Sequence, residues 1–95
     1  MPTKDSETET EIAVTIDLTK LPVRKLAFLI YRAWDNVYFG AVPYLEAMTK
    51  MESVNEMVGH DDGKSVVRYF LSNARGWRGR DAVAMKAELK RRLEA

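Results

Sequence analysis

The sequence predicts a mainly α protein: a compact bundle of about four helices with an N-terminal strand or extended arm. The stretch 21–39, LPVRKLAFLIYRAWDNVYF, places its apolar residues at helical spacing over a broad arc. Glycines and prolines divide the following residues into further stretches with the same periodicity. The stretch 12–18, IAVTIDL, is the one clear alternation of apolar and polar residues, which is typical of a strand.

Composition limits the class of protein and its compartment. The chain has 95 residues, of which 46% are hydrophobic and 31% charged, as expected of one soluble globular domain. It has no cysteine, which excludes disulfides, thiolate metal sites and cysteine nucleophiles. The longest apolar run, residues 26–31, is too short to cross a bilayer, which takes about 20 residues. The N-terminus is acidic and polar, unlike a signal peptide, so a cytoplasmic protein without membrane contact is expected.

The N-terminal residues divide into a tail and a strand. Residues 1–11 contain almost no apolar side chain, which predicts a disordered acidic tail ahead of a single helical domain over 12–95. In 12–18, the residues Ile12, Val14 and Ile16 fall on one face of the predicted strand. A lone strand leaves its backbone groups without partners. It can pair with its copy in a second subunit, with a partner's sheet edge, or with 65–71, SVVRYFL; the last pairing would make the fold α+β.

The first predicted helix spans 22–39 and forms the centre of the fold. Pro22 suits its first turn, and Gly40 suits a left-handed residue after its end. Trp34 lies near the middle of the apolar arc, where the other helices would enclose it. Phe28 lies on the polar side, where folding alone does not explain an aromatic ring. Together with the apolar strand face, Phe28 predicts a patch that binds a partner.

Three further helices are predicted. Pro43 opens the second, which runs to Val58 and can break near Glu52, because Ser53 and Glu56 have the form of a capping box. Asp61 or Asp62 can cap the third, over 64–75. The last helix covers 80–94 and presents a narrow apolar stripe.

A resemblance covers most of the chain. The stretches LPVRKLAFLIYRAWDNVYFGAVPYLEAM and FLSNARGWRG resemble small uncharacterised proteins encoded by viruses of actinobacteria. The resemblance rests on general similarity and brings no activity or site residue with it. It implies an accessory protein that works in a bacterial cytoplasm.

The patterns that could indicate catalysis are weak. GHDDGKS, residues 59–65, ends like a phosphate-binding loop, but one residue is missing between its glycines and a helix is predicted before it. His60 is the only histidine, and a histidine beside turn acids is most often a solvated loop residue. We therefore predict no enzyme activity, no cofactor and no metal site.

The charges are unevenly distributed and suggest a second function. Residues 64–95 are basic, whereas residues 1–63 are acidic. The run RGWRGR could bind phosphates and stack on a base, but the pattern favours Trp77 as a core residue that folds back after the third helix. The sequence thus predicts a non-enzymatic protein-interaction module acting through Ile12, Val14, Ile16 and Phe28, with a protein partner or a second copy. The alternative is nucleic-acid binding, for which the candidate residues are Arg75, Trp77, Arg78, Arg80, Lys86, Lys90 and Arg91.

Overall fold

The computed structural model describes residues 16–95, which form four α-helices and a short β-hairpin. The mainly α class is therefore confirmed. The predicted α+β alternative is wrong, because residues 65–71 lie inside a helix. In chain order, the elements are a 3-10 turn (Leu18–Lys20), α1 (Val23–Ala33), α2 (Val42–Met48), β1 (Met57–Val58), β2 (Asp61–Asp62), α3 (Gly63–Ser72) and α4 (Arg80–Glu94).

The predicted strand over 12–18 is wrong in the part that the structure describes. Residues 12–15 lie outside the described residues. Asp17 caps the 3-10 turn that begins at Leu18, and its side chain accepts a hydrogen bond from the backbone N–H of Thr19. A short side chain that bonds its own backbone competes with strand pairing, which explains the turn.

Helix α1 begins at Val23, one residue later than predicted, with Pro22 as its N-cap, and it ends at Ala33 instead of residue 39. Trp34 has extended backbone angles, φ −108° and ψ 97°, and so leaves the helix. The apolar arc nevertheless continues beyond the helix, which is why periodicity alone overestimated its length.

Helix α2 contains Pro43 in its first turn, as predicted, but ends at Met48 rather than Val58. The loop after α2 packs against the start of α1. The carbonyls of Met51 and Glu52 accept hydrogen bonds from the first N–H groups of α1, at Arg24 (2.7 Å) and Val23 (3.0 Å). These donors have no partner within their own helix, so the loop caps α1.

The predicted capping box does not start a helix. The Glu56 carboxylate accepts from the N–H of Glu52 at 2.8 Å, and the Ser53 hydroxyl accepts from the N–H of Asn55 at 3.1 Å. Both bonds instead hold the loop between α2 and β1 in shape.

The hairpin leads directly into α3. Gly59 has a φ of +62°, which a tight two-residue turn requires and glycine adopts without strain. Of the two predicted caps, Asp62 is the one observed, because its side chain accepts from the N–H of Lys64 at 3.1 Å. Helix α3 then ends at Ser72, whereas α4 has the predicted bounds.

All four helices contribute to one core. Helix α2 packs on α3, and α4 contacts both α1 and α3. None of the helices in residues 16–95 is long and apolar enough to cross a membrane. The core residues that are fully enclosed include Val23, Leu26, Ile30, Leu45, Met48, Met51, Val67, Phe70, Met85 and Leu89.

Candidate interaction surfaces

An open cleft of about 390 Å³ lies beside the N-terminal half of α1. Its lining, which we call the apolar cleft, consists of Ile16, Leu21, Lys25, Phe28 and Leu29. Four of these five side chains are apolar, and the fifth is a lysine. Such a surface can hold an apolar side chain of a partner while the lysine pairs with an acid beside it.

Helix α1 carries three of the residues that line this cleft: Lys25, Phe28 and Leu29. Leu26 and Ile30 turn inward and are fully buried, which directs Phe28 outward, where 53% of its surface is exposed. Leu29 is half-buried at the boundary between the two faces. The helix is thus anchored by its core face and carries the ring of Phe28 on a rigid support.

The structure brings together two of the four predicted protein-interaction residues. Ile16 and Phe28 line the same cleft, and both are exposed. Ile12 and Val14 lie outside the described residues. Leu21 and Leu29 were not predicted as site residues: Leu29 belonged to the apolar arc assigned to the core, and Leu21 precedes the predicted helix. Leu29 follows Lys25 by one helical turn, the spacing that places these two residues on one face of α1.

A buried charge cluster fixes the 3-10 turn between Ile16 and Leu21. Arg92, in the last turn of α4, donates from Nη2 to the carbonyl oxygen of Leu18 at 2.7 Å. The same guanidinium donates from Nε to Glu88 Oε2 at 2.7 Å. Arg92 thus connects the 3-10 turn, which lies between the cleft residues Ile16 and Leu21, to α4. Glu88 is only 6% exposed, so these hydrogen bonds are shielded from water.

Glu88 also receives both hydrogen bonds of a bidentate pair from Arg91, at 2.9 and 2.6 Å. The Arg91 bonds lower the pKa of Glu88 below its usual range, burial opposes the shift, and Arg92 adds to it. The carboxylate is therefore charged at neutral pH. Glu88 was not among the predicted site residues, although its spacing from Arg91 and Arg92 is that of helical ion pairs.

The predicted stacking role of Trp77 is wrong. Its side chain is 4% exposed, and its indole lies parallel to that of Trp34, with ring centroids 5.3 Å apart and 8° between the planes. Phe70 meets Trp34 edge-on at 6.2 Å. Trp77 is therefore a core residue, the other possibility that the sequence left open, and cannot offer a face to a base.

The remaining basic candidates do not form one continuous site. Arg75 lines a separate depression beside Trp34 and Tyr38. Arg91 is committed to Glu88. Arg80 is exposed at the start of α4. Arg78, Lys86 and Lys90 form a group beside the loop before α4: Lys86 donates to the carbonyl of Trp77, which Arg78 follows, and Lys90 lies one helical turn after Lys86.

His60 is exposed in the turn of the hairpin, as predicted. Within residues 16–95, no three His, Asp or Glu side chains are grouped so as to hold a metal ion. The chain was also compared with protein-family models, curated proteins and solved structures, and none of the three comparisons gives a match.

Proposed function

We propose that this chain is a small non-enzymatic interaction module that binds an apolar segment of another protein in the apolar cleft. The proposal is based on the observation that Ile16 and Phe28 line the same cleft. The resemblance to proteins of actinobacterial viruses supports an accessory role in a bacterial cytoplasm.

The exposed ring of Phe28 supports a contact function. Its core-facing neighbours supply the burial that the helix needs, so the ring adds little to folding. An aromatic side chain on a rigid helix is the kind of anchor that contributes strongly to binding. Leu21 and Leu29 extend the apolar area around it.

The charge beside the cleft favours a different protein over a second copy. In a two-fold dimer built on this surface, each copy would present the same patch, so two Lys25 ammonium groups would share one small, mostly apolar interface. Like charges opposed across an interface cost binding energy. A partner with an acidic residue next to its apolar segment avoids this repulsion and gains an ion pair.

The test compares Phe28→Ala with Phe39→Ala. Phe39 is 79% exposed and does not line the cleft, so it is a matched control for loss of a surface ring. Partners are captured from nuclease-treated bacterial lysate with the wild-type protein, purified, and titrated against all three proteins. We expect Phe28→Ala to weaken affinity at least about tenfold, or about 1.4 kcal/mol, and Phe39→Ala to leave it unchanged.

Equal affinities for the two variants would contradict the proposed site. Sedimentation equilibrium of the pure protein checks the choice of partner. Self-association that Phe28→Ala abolishes would show that a second copy occupies the cleft and would overturn the proposal of a different protein.

A further inference from the structure

A second surface, at the loop between α3 and α4, carries three basic residues, none of which lines the apolar cleft: Arg78, Lys86 and Lys90. Lys86 reaches from α4 to this loop and donates from Nζ to the carbonyl oxygen of Trp77 at 2.5 Å. The ammonium also lies 5.8 Å from the centroid of the Trp77 ring. Because Trp77 is fixed in the core, both contacts hold Lys86 next to Arg78, the following residue of the loop.

Lys90 completes the group, which we call the basic patch: Arg78, Lys86 and Lys90. It lies one helical turn after Lys86 on α4, where side chains are neighbours. Burial lowers the pKa of Lys86, and the charges of Lys90 and Arg78 lower it further, so the three cations share one electrostatic field.

Arg78, Lys86 and Lys90 are not among the cations of the salt bridges seen within residues 16–95. In the described part of the chain, the salt bridges involve Lys20, Arg24, Arg91 and Arg92 as the cations. A fold that holds like charges close together is stabilised when an external anion binds beside them.

The chemistry of the patch indicates which anion it fits. Arg78 is exposed, and its planar guanidinium matches two oxygens of one phosphate. Lys86 and Lys90 add point charges along the helix. Because Trp77 is buried, its ring offers no face on which a base could stack, and the three cations are suited to contacts with phosphate oxygens. We propose that the basic patch binds the phosphate backbone of nucleic acid, without selecting its sequence.

The test is fluorescence anisotropy with a short labelled oligonucleotide, single-stranded and as a duplex, over a series of salt concentrations. The variant combines Arg78→Gln with Lys90→Gln and leaves Lys86 in its structural contact. The control combines Arg32→Gln with Lys50→Gln, which removes one exposed arginine and one exposed lysine elsewhere. Circular dichroism checks that both variants are folded.

We expect the wild type to bind at low salt and to weaken steeply as salt rises, because each phosphate contact releases counterions. The patch variant should lose about tenfold in affinity, and its salt slope should fall by about 2, whereas the control should retain the wild-type slope. Phe28→Ala should bind the oligonucleotide like the wild type, so this result is independent of the apolar cleft.

Three outcomes would overturn the proposal: no binding at low salt, equal weakening of the patch and control variants, or binding to vesicles of anionic phospholipid without binding to either oligonucleotide. The last outcome would assign the patch to lipid headgroups. A preference for the single strand or the duplex at equal salt would support the proposal and identify the form of nucleic acid that fits.

Discussion

The indole rings of Trp34 and Trp77 stack at 5.3 Å, and this contact joins the end of α1 to the loop before α4. Trp34 is half-buried, whereas Trp77 is 4% exposed, so the first ring covers the second. The pair also explains why α1 ends at Ala33: the extended backbone at Trp34 places its ring over Trp77 and against Phe70.

Trp34→Ala is expected to destabilise the protein much more than Phe28→Ala. The change removes a stacked and an edge-on aromatic contact and exposes Trp77. Because Trp34 is partly exposed, the loss should fall near the lower end of the range of about 3–5 kcal/mol for buried aromatics. Phe28→Ala should cost under about 1 kcal/mol. Urea unfolding measures both, and equal losses would mean that Phe28 is packed in the fold and unavailable as an anchor.

Glu88→Gln is expected to lower the free energy of unfolding by about 1–3 kcal/mol at neutral pH, because two arginines lose a charged acceptor in a buried site. Glu94→Gln, at an exposed position of the same helix, should change it by less than about 0.5 kcal/mol. Urea unfolding of both variants at neutral pH compares the two losses. Equal losses in the free energy of unfolding would show that the buried hydrogen bonds of Glu88 stabilise the protein no more than an exposed glutamate does.

The Glu88 effect should depend on pH in one direction. Its folded pKa is lower than its unfolded pKa, so its contribution is complete above the unfolded value and is lost as pH falls through the folded value. The difference between wild type and Glu88→Gln should therefore narrow in acid, below the usual range of a glutamate. Urea unfolding at a series of acidic pH values checks this, and a constant difference would contradict it.

Gly63→Ala should destabilise the start of α3. A Cβ atom at this buried position would lie 2.6 Å from the carbonyl oxygen of Glu56 and 2.7 Å from that of Val54. Backbone atoms cannot move aside cheaply, so a cost of about 1–3 kcal/mol is expected. Gly76→Ala is the matched control, since its Cβ would meet no atom within 4 Å, and it should stay within about 1 kcal/mol of wild type. Thermal unfolding compares them; similar melting temperatures would show that the loop accommodates the methyl group.

Asp62→Ala should remove the cap of α3 and cost about 1 kcal/mol, since the N–H of Lys64 loses its acceptor. Asp61→Ala makes the same charge change at the neighbouring exposed residue, which does not cap the helix. Thermal unfolding should therefore separate the two variants. If both lose the same stability, electrostatics at the hairpin would account for the effect and the hydrogen bond would not.

Local signals predicted the elements whose ends are locally determined. Helix α4 has the predicted bounds, and Asp62 was one of two predicted caps. The ends of α1 and α2 depend on contacts with residues that are distant in the sequence. Trp34, after α1, stacks on Trp77, and Met51, after α2, accepts a hydrogen bond from the N–H of Arg24 at the start of α1. Helical periodicity contains no information about such contacts, and both helices were predicted too long.

The sequence predicted some residues of the candidate sites and missed others. Phe28 was identified because an aromatic ring on a polar helix face has no role in the core. Leu29 was assigned to that core and Leu21 was given no role, and the cleft that they share with Ile16 depends on the folded position of the N-terminal turn. The basic run was visible in the sequence, but the position of Lys86 depends on the burial of Trp77.

The hydrogen bond from Arg92 to the carbonyl of Leu18 joins residues separated by 74 positions in the sequence. The 3-10 turn and α4 must therefore come together across most of the described chain before this bond can form. Contacts between such distant positions also carry a large loop-closure entropy, which slows folding. The 3-10 turn beside Ile16 therefore gains this bond only when α4 is docked, so the shape of the apolar cleft depends on the packing of a helix that does not line it.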